Sequence, residues 1–92
     1  MANYSIRLTK EAVRQIRRLP PQIRSRVQTR IDDLATSPRP PGCEKLQGSD
    51  RHFRVRVGDY RIIYQIEDEH LIITVVQAGH RRDIYRNLDR LP

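Results

Sequence analysis

The sequence predicts an α+β domain. It has an N-terminal strand, an antiparallel two-helix hairpin on one face of a mainly antiparallel four-stranded sheet, and a short C-terminal helical turn or tail. Three observations lead there. The stretch "FRVRVGDYRIIY" alternates apolar and polar residues on both sides of Gly58-Asp59, the pattern of a tight β-hairpin. Upstream, Ile23, Val27, Ile31 and Leu34 recur at steps of four, four and three, which places them on one helical face. Downstream, "LIITVVQAG" is rich in β-branched residues and reads as a third strand of a meander.

The elements follow in order. "YSIRLT" alternates Tyr4, Ile6 and Leu8 against polar neighbours, a short strand half buried on one side. Thr9 can cap a helix running to about Leu19, with Ala12, Val13, Ile16 and Leu19 facing inward. Pro20-Pro21 stops it, because proline donates no backbone hydrogen bond and disfavours helix before it. A second helix then runs from about Gln22 to Ala35, antiparallel to the first. "TSPRPPGCEKLQGSD", with three prolines and two glycines, is the one long irregular segment. The hairpin follows, then "EDEH" as a solvated turn, the third meander strand, and the polar tail "HRRDIYRNLDRLP".

The hairpin register pairs Val57 with Tyr60, Val55 with Ile62 and Phe53 with Tyr64, gathering the apolar partners on one face. It also sets Arg56 directly opposite Arg61, with Arg54 on the same face. Like charges in opposed positions are destabilising, and no acid stands among their expected cross-strand neighbours. A tight turn at Asp68-Glu69 extends the register. Leu71, Ile73 and Val75 then join the helix-covered face, while Ile63, Gln65, Ile72, Thr74 and Val76 join the arginines. The apolar strip Ile63, Ile72 and Val76 is left for residues 86–92 or for a partner to cover. "GHRRDIY" follows the third strand and can bring His80, Arg81 and Tyr85 to the rim near the hairpin arginines.

Composition narrows the function. Ninety-two residues make one small domain, 1–92, with a single modest core. Lys and Arg outnumber Asp and Glu by eighteen to eleven, a net charge of +7, and sixteen of the eighteen are arginine. Residues 1–31 hold eight of these cations against Glu11 alone, and the rest of the chain balances. Arginine's planar fork suits phosphate oxygens and its flat face stacks on bases, so the partner expected is anionic: nucleic acid or an acidic protein. No apolar run approaches a membrane helix and the N-terminus has no apolar signal core, so a cytoplasmic protein is expected. The single cysteine, Cys43, fits a reducing compartment. His52, His70 and His80 lack metal-ligand spacing, and no nucleophile elbow or phosphate-cradling glycine loop occurs, so neither metal nor cofactor is expected.

Across essentially its whole length the chain resembles the RelE/ParE superfamily of toxins, in particular the RelE branch of ribosome-dependent mRNA interferases. "LTKEAVRQIRRLP" is similar to the family's first helix, "KLQGSDRHFRVRVGDYRIIYQI" to its loop and central hairpin, and "VVQAGHRRDIYR" to its closing strand and tail. The resemblance implies residue roles. Arg54 and Arg56 stand where relatives carry basic residues, often lysine, facing the message; Arg61 matches a phosphate-binding arginine. Arg81 matches an arginine near the leaving group, and Tyr85 an aromatic that orients an mRNA base. On this basis Arg56, Arg61, Arg81 and Tyr85 are the expected catalytic set, and Lys45, Arg54, His80 and Arg82 the expected RNA-binding set.

The resemblance further implies cleavage of mRNA in the ribosomal A site, with the RNA's own 2′-hydroxyl as nucleophile. The expected partners are a short antitoxin that wraps the toxin, the ribosome with its mRNA, and operator DNA through the antitoxin complex only; no membrane is involved. Two other readings stay open. One is a gyrase-inhibiting toxin of the ParE type; the other is an inactive RNA-binding relative.

Overall fold

The computed structural model describes residues 3–86, without the side chains of Tyr85 and Arg86. Its elements are β1 (Ser5–Leu8), α1 (Lys10–Arg17), α2 (Pro21–Leu34), β2 (Glu44–Lys45), β3 (His52–Val57), β4 (Tyr60–Glu67), β5 (Ile72–His80) and α3 (Arg81–Arg86). They form one five-stranded sheet in the order β1-β5-β4-β3-β2. The expected four strands are present. The fifth, β2, is a two-residue piece inside the proline-rich segment, where no alternation could announce it.

Local chemistry sets the helices. The Thr9 hydroxyl accepts a hydrogen bond from Ala12 N, capping α1. Pro21 opens α2 at a position where a missing N–H costs nothing. Ala12, Ile16, Val27, Ile31 and Leu34 are buried against Phe53, Val55, Ile62, Tyr64, Ile73, Val75 and Ala78 of the sheet. Burial of this apolar surface is the main force holding the helices to the sheet. Leu8, expected to be half buried, is 38% exposed at the end of β1, the edge strand of the sheet.

The hairpin adopts the expected register, Val57 with Tyr60 through His52 with Gln65, including Arg56 opposite Arg61. Gly58 takes φ +60° in its turn, a conformation that favours glycine. The next turn differs from expectation. Residues 68–71 form a four-residue loop that pairs Glu67 with Ile72, not a tight turn at Asp68-Glu69. Leu71 sits in that loop at φ +54° and is 38% exposed, so it does not join the core. Asp68 anchors the loop, accepting from Tyr4 Oη at 2.7 Å and from the Arg39 guanidinium at 2.9 Å. Arg39 in turn lies over the Phe53 ring, 5.2 Å from its centroid.

One irregularity governs the far end of β5. Ile63 pairs with Gln77 and Tyr64 with Val75, so Val76 is an extra residue, a β-bulge. Beyond it the alternation is inverted. Ala78 opposes Ile62 in the helix-side core, and Gly79 opposes Arg61. β1 ends at Leu8, and polar groups of the next segments take over its pairing duty. The Thr9 hydroxyl donates to Val76 O, and Gln15 Oε1 accepts from Ala78 N at 2.8 Å.

The second face of the sheet has its own small core: Ile63, Val76 and Ile84 are buried, with Leu46 packed beside them. The apolar strip is therefore covered by Ile84 of α3 and Leu46 of the preceding loop. Ile72, at the strip's far end, is half-buried. The expectation that residues 86–92 cover this strip falls mostly outside the described residues.

Candidate nucleic-acid interface

Cross-strand register assigns His52, Arg54, Arg56, Arg61, Ile63 and Gln65 to one face. The three arginines share that face as expected, but two of them, Arg54 and Arg56, meet a carboxylate. Glu44 of β2 pairs with Arg54 outside the hairpin; its Oε2 accepts from Arg54 Nη2 at 2.5 Å, and its Oε1 lies 3.9 Å from Arg56 Nη2. The expectation of no nearby acid is thus overturned. The acid arrives on a strand too short to read from sequence. Hydrogen bonding from Arg54, then the charges of Arg54, Arg56 and Arg61, hold the Glu44 carboxyl below the usual carboxylate range. It is ionised at neutral pH. One carboxylate among three guanidiniums still leaves the cluster cationic.

The three arginines are held differently. Arg56 is the open one, its side chain 62% exposed, and Arg54 is largely covered at 18%. Arg61 is buried at 6% exposure and folds back onto the hairpin tip. Its Nη1 donates to Gly58 O and Tyr60 O, both at 3.2 Å, while its Nε is buried without a hydrogen-bond partner. Carbonyl bonds orient this guanidinium without cancelling its charge. An oriented cation with donor capacity to spare is suited to a fixed anion.

The tail residues divide. The Arg81 backbone N–H donates to Asp59 O at 2.9 Å, so α3 starts at the same turn that Arg61 grips. Arg81 and Arg82 are exposed, and the Tyr85 side chain lies outside the described residues. His80 goes elsewhere. The bulge at Val76 turns it to the helix side, opposite Tyr60, whose ring it meets edge-on at 5.4 Å. There it lines a cleft of about 540 Å³ with Glu11, Gln15, Arg18 and Asp83. The expectation that His80 meets the hairpin arginines is therefore corrected. Lys45 also departs: it pairs with Phe53, putting it on the helix side of the sheet, 3.6 Å from Asp50.

Two polar residues on this face carried no expected role. His52 is buried, between Ser49 Oγ at 2.6 Å and Gln65 Nε2 at 3.1 Å. Burial holds its pKa below the ordinary 6.5, so it is a neutral structural group. Gln77, also buried, pairs with Ile63 beside Arg61's strand position. No group of three or more His, Cys, Asp or Glu that could hold a metal exists among the described residues. No helix there is long and apolar enough to cross a membrane.

Comparison with known proteins agrees with this geometry. Residues 6–85 match the family described as the ParE toxin of the type II toxin–antitoxin system, parDE. The chain is 36% identical over 84 residues to toxin RelG of Mycobacterium tuberculosis, covering 90% of this chain and 97% of that one. It is 25% identical to the mRNA interferase toxin RelE of Escherichia coli, over 85% of this chain and 83% of that one. Among solved structures it superposes on the toxin–antitoxin complex RelBE2 of M. tuberculosis with a TM-score of 0.77 at 32% identity, covering 88% and 94% of the two chains. The chain belongs to the RelE/ParE family of type II toxin–antitoxin toxins.

Proposed function

We propose that this toxin is an mRNA interferase that cuts message on the ribosome, in the cytoplasm, and that a RelB-like antitoxin restrains it. The observation that carries this reading is the anion site already built into the sheet: Arg54 and Arg56 hold the Glu44 carboxylate, and Arg61 stands on the same face with its Nε unpaired. A phosphodiester has the same charge sign and the same paired-oxygen geometry as Glu44. It can take the carboxylate's place among the guanidiniums.

In the proposed reaction the RNA 2′-oxygen attacks the adjacent phosphorus and the bond from phosphorus to the 5′-oxygen breaks. The 2′-hydroxyl loses one proton and the leaving 5′-oxygen gains one. The products carry a 2′,3′-cyclic phosphate and a 5′-hydroxyl. Arg61, fixed by Gly58 O and Tyr60 O, stabilises charge on the pentacoordinate phosphorus, Arg81 stabilises it near the leaving oxygen, and Tyr85 orients a base. Arg54 and Arg56 hold the strand. Such electrostatic stabilisation is often the largest single catalytic contribution. Guanidinium groups do not titrate near neutrality, so the protein supplies charge and orientation while the ribosome positions the message.

The relatives' names support the reading: the E. coli protein is called an mRNA interferase, and the M. tuberculosis structure is a toxin–antitoxin complex. The test is brief expression followed by mapping of transcript ends. New 5′-hydroxyl ends within translated frames support it. Intact transcripts with relaxed or broken DNA would favour the gyrase reading.

A further inference from the structure

A second cationic depression lies around the edge of the sheet, between α2 and the hairpin tip. It has a volume of about 470 Å³, and its walls include Arg26, Thr29, Arg30, Asp33, Arg56 and Gly58. Arg26 closes on the tip: its guanidinium nitrogens stand 3.8 and 3.9 Å from where a Cβ on Gly58 would be. Arg61 grips the carbonyl of the same glycine. Two arginines, one on a helix and one on a strand, therefore meet at one turn, and Arg56 lines the depression as well as flanking Glu44. Arg56 thus borders both the Glu44 cluster and α2.

The charges in this depression are less satisfied than those around Glu44. Among the described residues Arg26 and Arg30 make no ion pair with any carboxylate, although Asp33 follows Arg30 on the same helix. Arg30 Nε is buried with no hydrogen-bond partner. Three guanidiniums line this depression against one carboxylate, Asp33, and among the described residues only Arg56 of the three has an ion-pair partner, Glu44, at 3.9 Å.

We propose that the depression walled by Arg26, Arg30 and Arg56 binds a ribonucleotide phosphodiester flanking the one held at Arg61, extending the backbone track around the hairpin tip. The identification of the ligand as RNA rests on the function proposed above; the arginine geometry does not. Contacts of this type position the nucleic acid without reading its sequence.

The experiment compares wild type, the double variant Arg26→Ala with Arg30→Ala, and Thr29→Glu, which places a like charge among the phosphates at an exposed helix position. Two probes separate the sources of phosphate: a short single-stranded RNA with a 2′-deoxy substitution at the scissile nucleotide, and ribosomes carrying no message. Binding is followed across a salt series. Both variants are expected to bind the oligonucleotide about tenfold more weakly. The double variant should also flatten the slope of log K against log salt by about 0.7 per lost single-strand contact. Its single-turnover cleavage rate at saturation stays within about twofold of wild type, and thermal melting of Thr29→Glu shows the fold intact. Loss on the oligonucleotide assigns the phosphate to the message and supports the flanking position; loss on vacant ribosomes alone assigns it to ribosomal RNA and overturns that position. Unchanged affinity and slope on both probes, or weakening confined to the antitoxin complex, would overturn the proposal. A wild type that binds RNA through Arg26 and Arg30 but cleaves nothing would leave this site standing and remove the nuclease reading. A wild type that cleaves with unaltered slopes in the variants would do the reverse.

Discussion

The two faces of this sheet are built on opposite logic. The helix side buries Ile62, Tyr64, Ile73 and Val75 under α1 and α2. Tyr64 is pushed well above the ordinary tyrosine pKa by burial, and its hydroxyl donates to Pro38 O at 2.8 Å. The other side holds a small apolar plug of Ile63, Val76 and Ile84 next to three arginines, two of which, Arg54 and Arg56, share one carboxylate. A face made only for stability would not set Arg56 opposite Arg61. The lesson is that one side is closed by its own residues, whereas the other keeps cationic capacity that an outside anion can use.

That contrast can be broken in graded ways. The largest expected effect is at the rim. Arg81→Ala should slow single-turnover cleavage on programmed ribosomes by about 100-fold or more, the scale of one electrostatic contribution. An unchanged rate would remove the α3 rim from the site. Next comes the internal anion. Glu44→Gln keeps an acceptor for Arg54 but removes the competing charge, so RNA should bind about threefold tighter, the small scale of one exposed ion pair. Weaker binding would show instead that Glu44 acts chiefly to orient the arginines.

The smallest effect concerns His52, on the arginine face, which bonds Ser49 and Gln65. Its folded pKa lies below 6.5 because burial disfavours the imidazolium. The unfolded chain therefore binds the proton more readily. This contribution to stability is complete above about pH 6.5 and is lost as pH falls through the lower folded pKa. Denaturant midpoints taken from pH 7 to 5 should fall more steeply for wild type than for His52→Gln. Parallel curves would mean that the imidazole is not held neutral.

The parts legible in sequence were those governed by local periodicity or local sterics. The hairpin register, the Thr9 cap, the proline break and the α2 stripe of Val27, Ile31 and Leu34 all stand where short-range pattern put them. The shared face of Arg54, Arg56 and Arg61 followed from the same parity rule. What escaped were features decided by long-range fit. A single extra residue at Val76 inverts the face of everything after it, which sends His80 to Tyr60 rather than to the arginines. Alternation weakens in "TVVQAG", but that weakness does not say where the extra residue sits. Glu44 was hidden because two residues show no period, and Lys45 went to the helix side for the same reason. Gln15 shows the same limit, since its bond to Ala78 N spans 63 residues of sequence.

The central claim is that Arg61, fixed on the hairpin tip, meets a scissile phosphodiester. The most direct measurement is single-turnover cleavage of ribosome-bound message by Arg61→Ala, with the variant's melting temperature and antitoxin binding measured alongside. A folded variant that binds antitoxin but cleaves at least about 100-fold more slowly is the predicted result. A folded variant that cleaves at the wild-type rate would contradict the account.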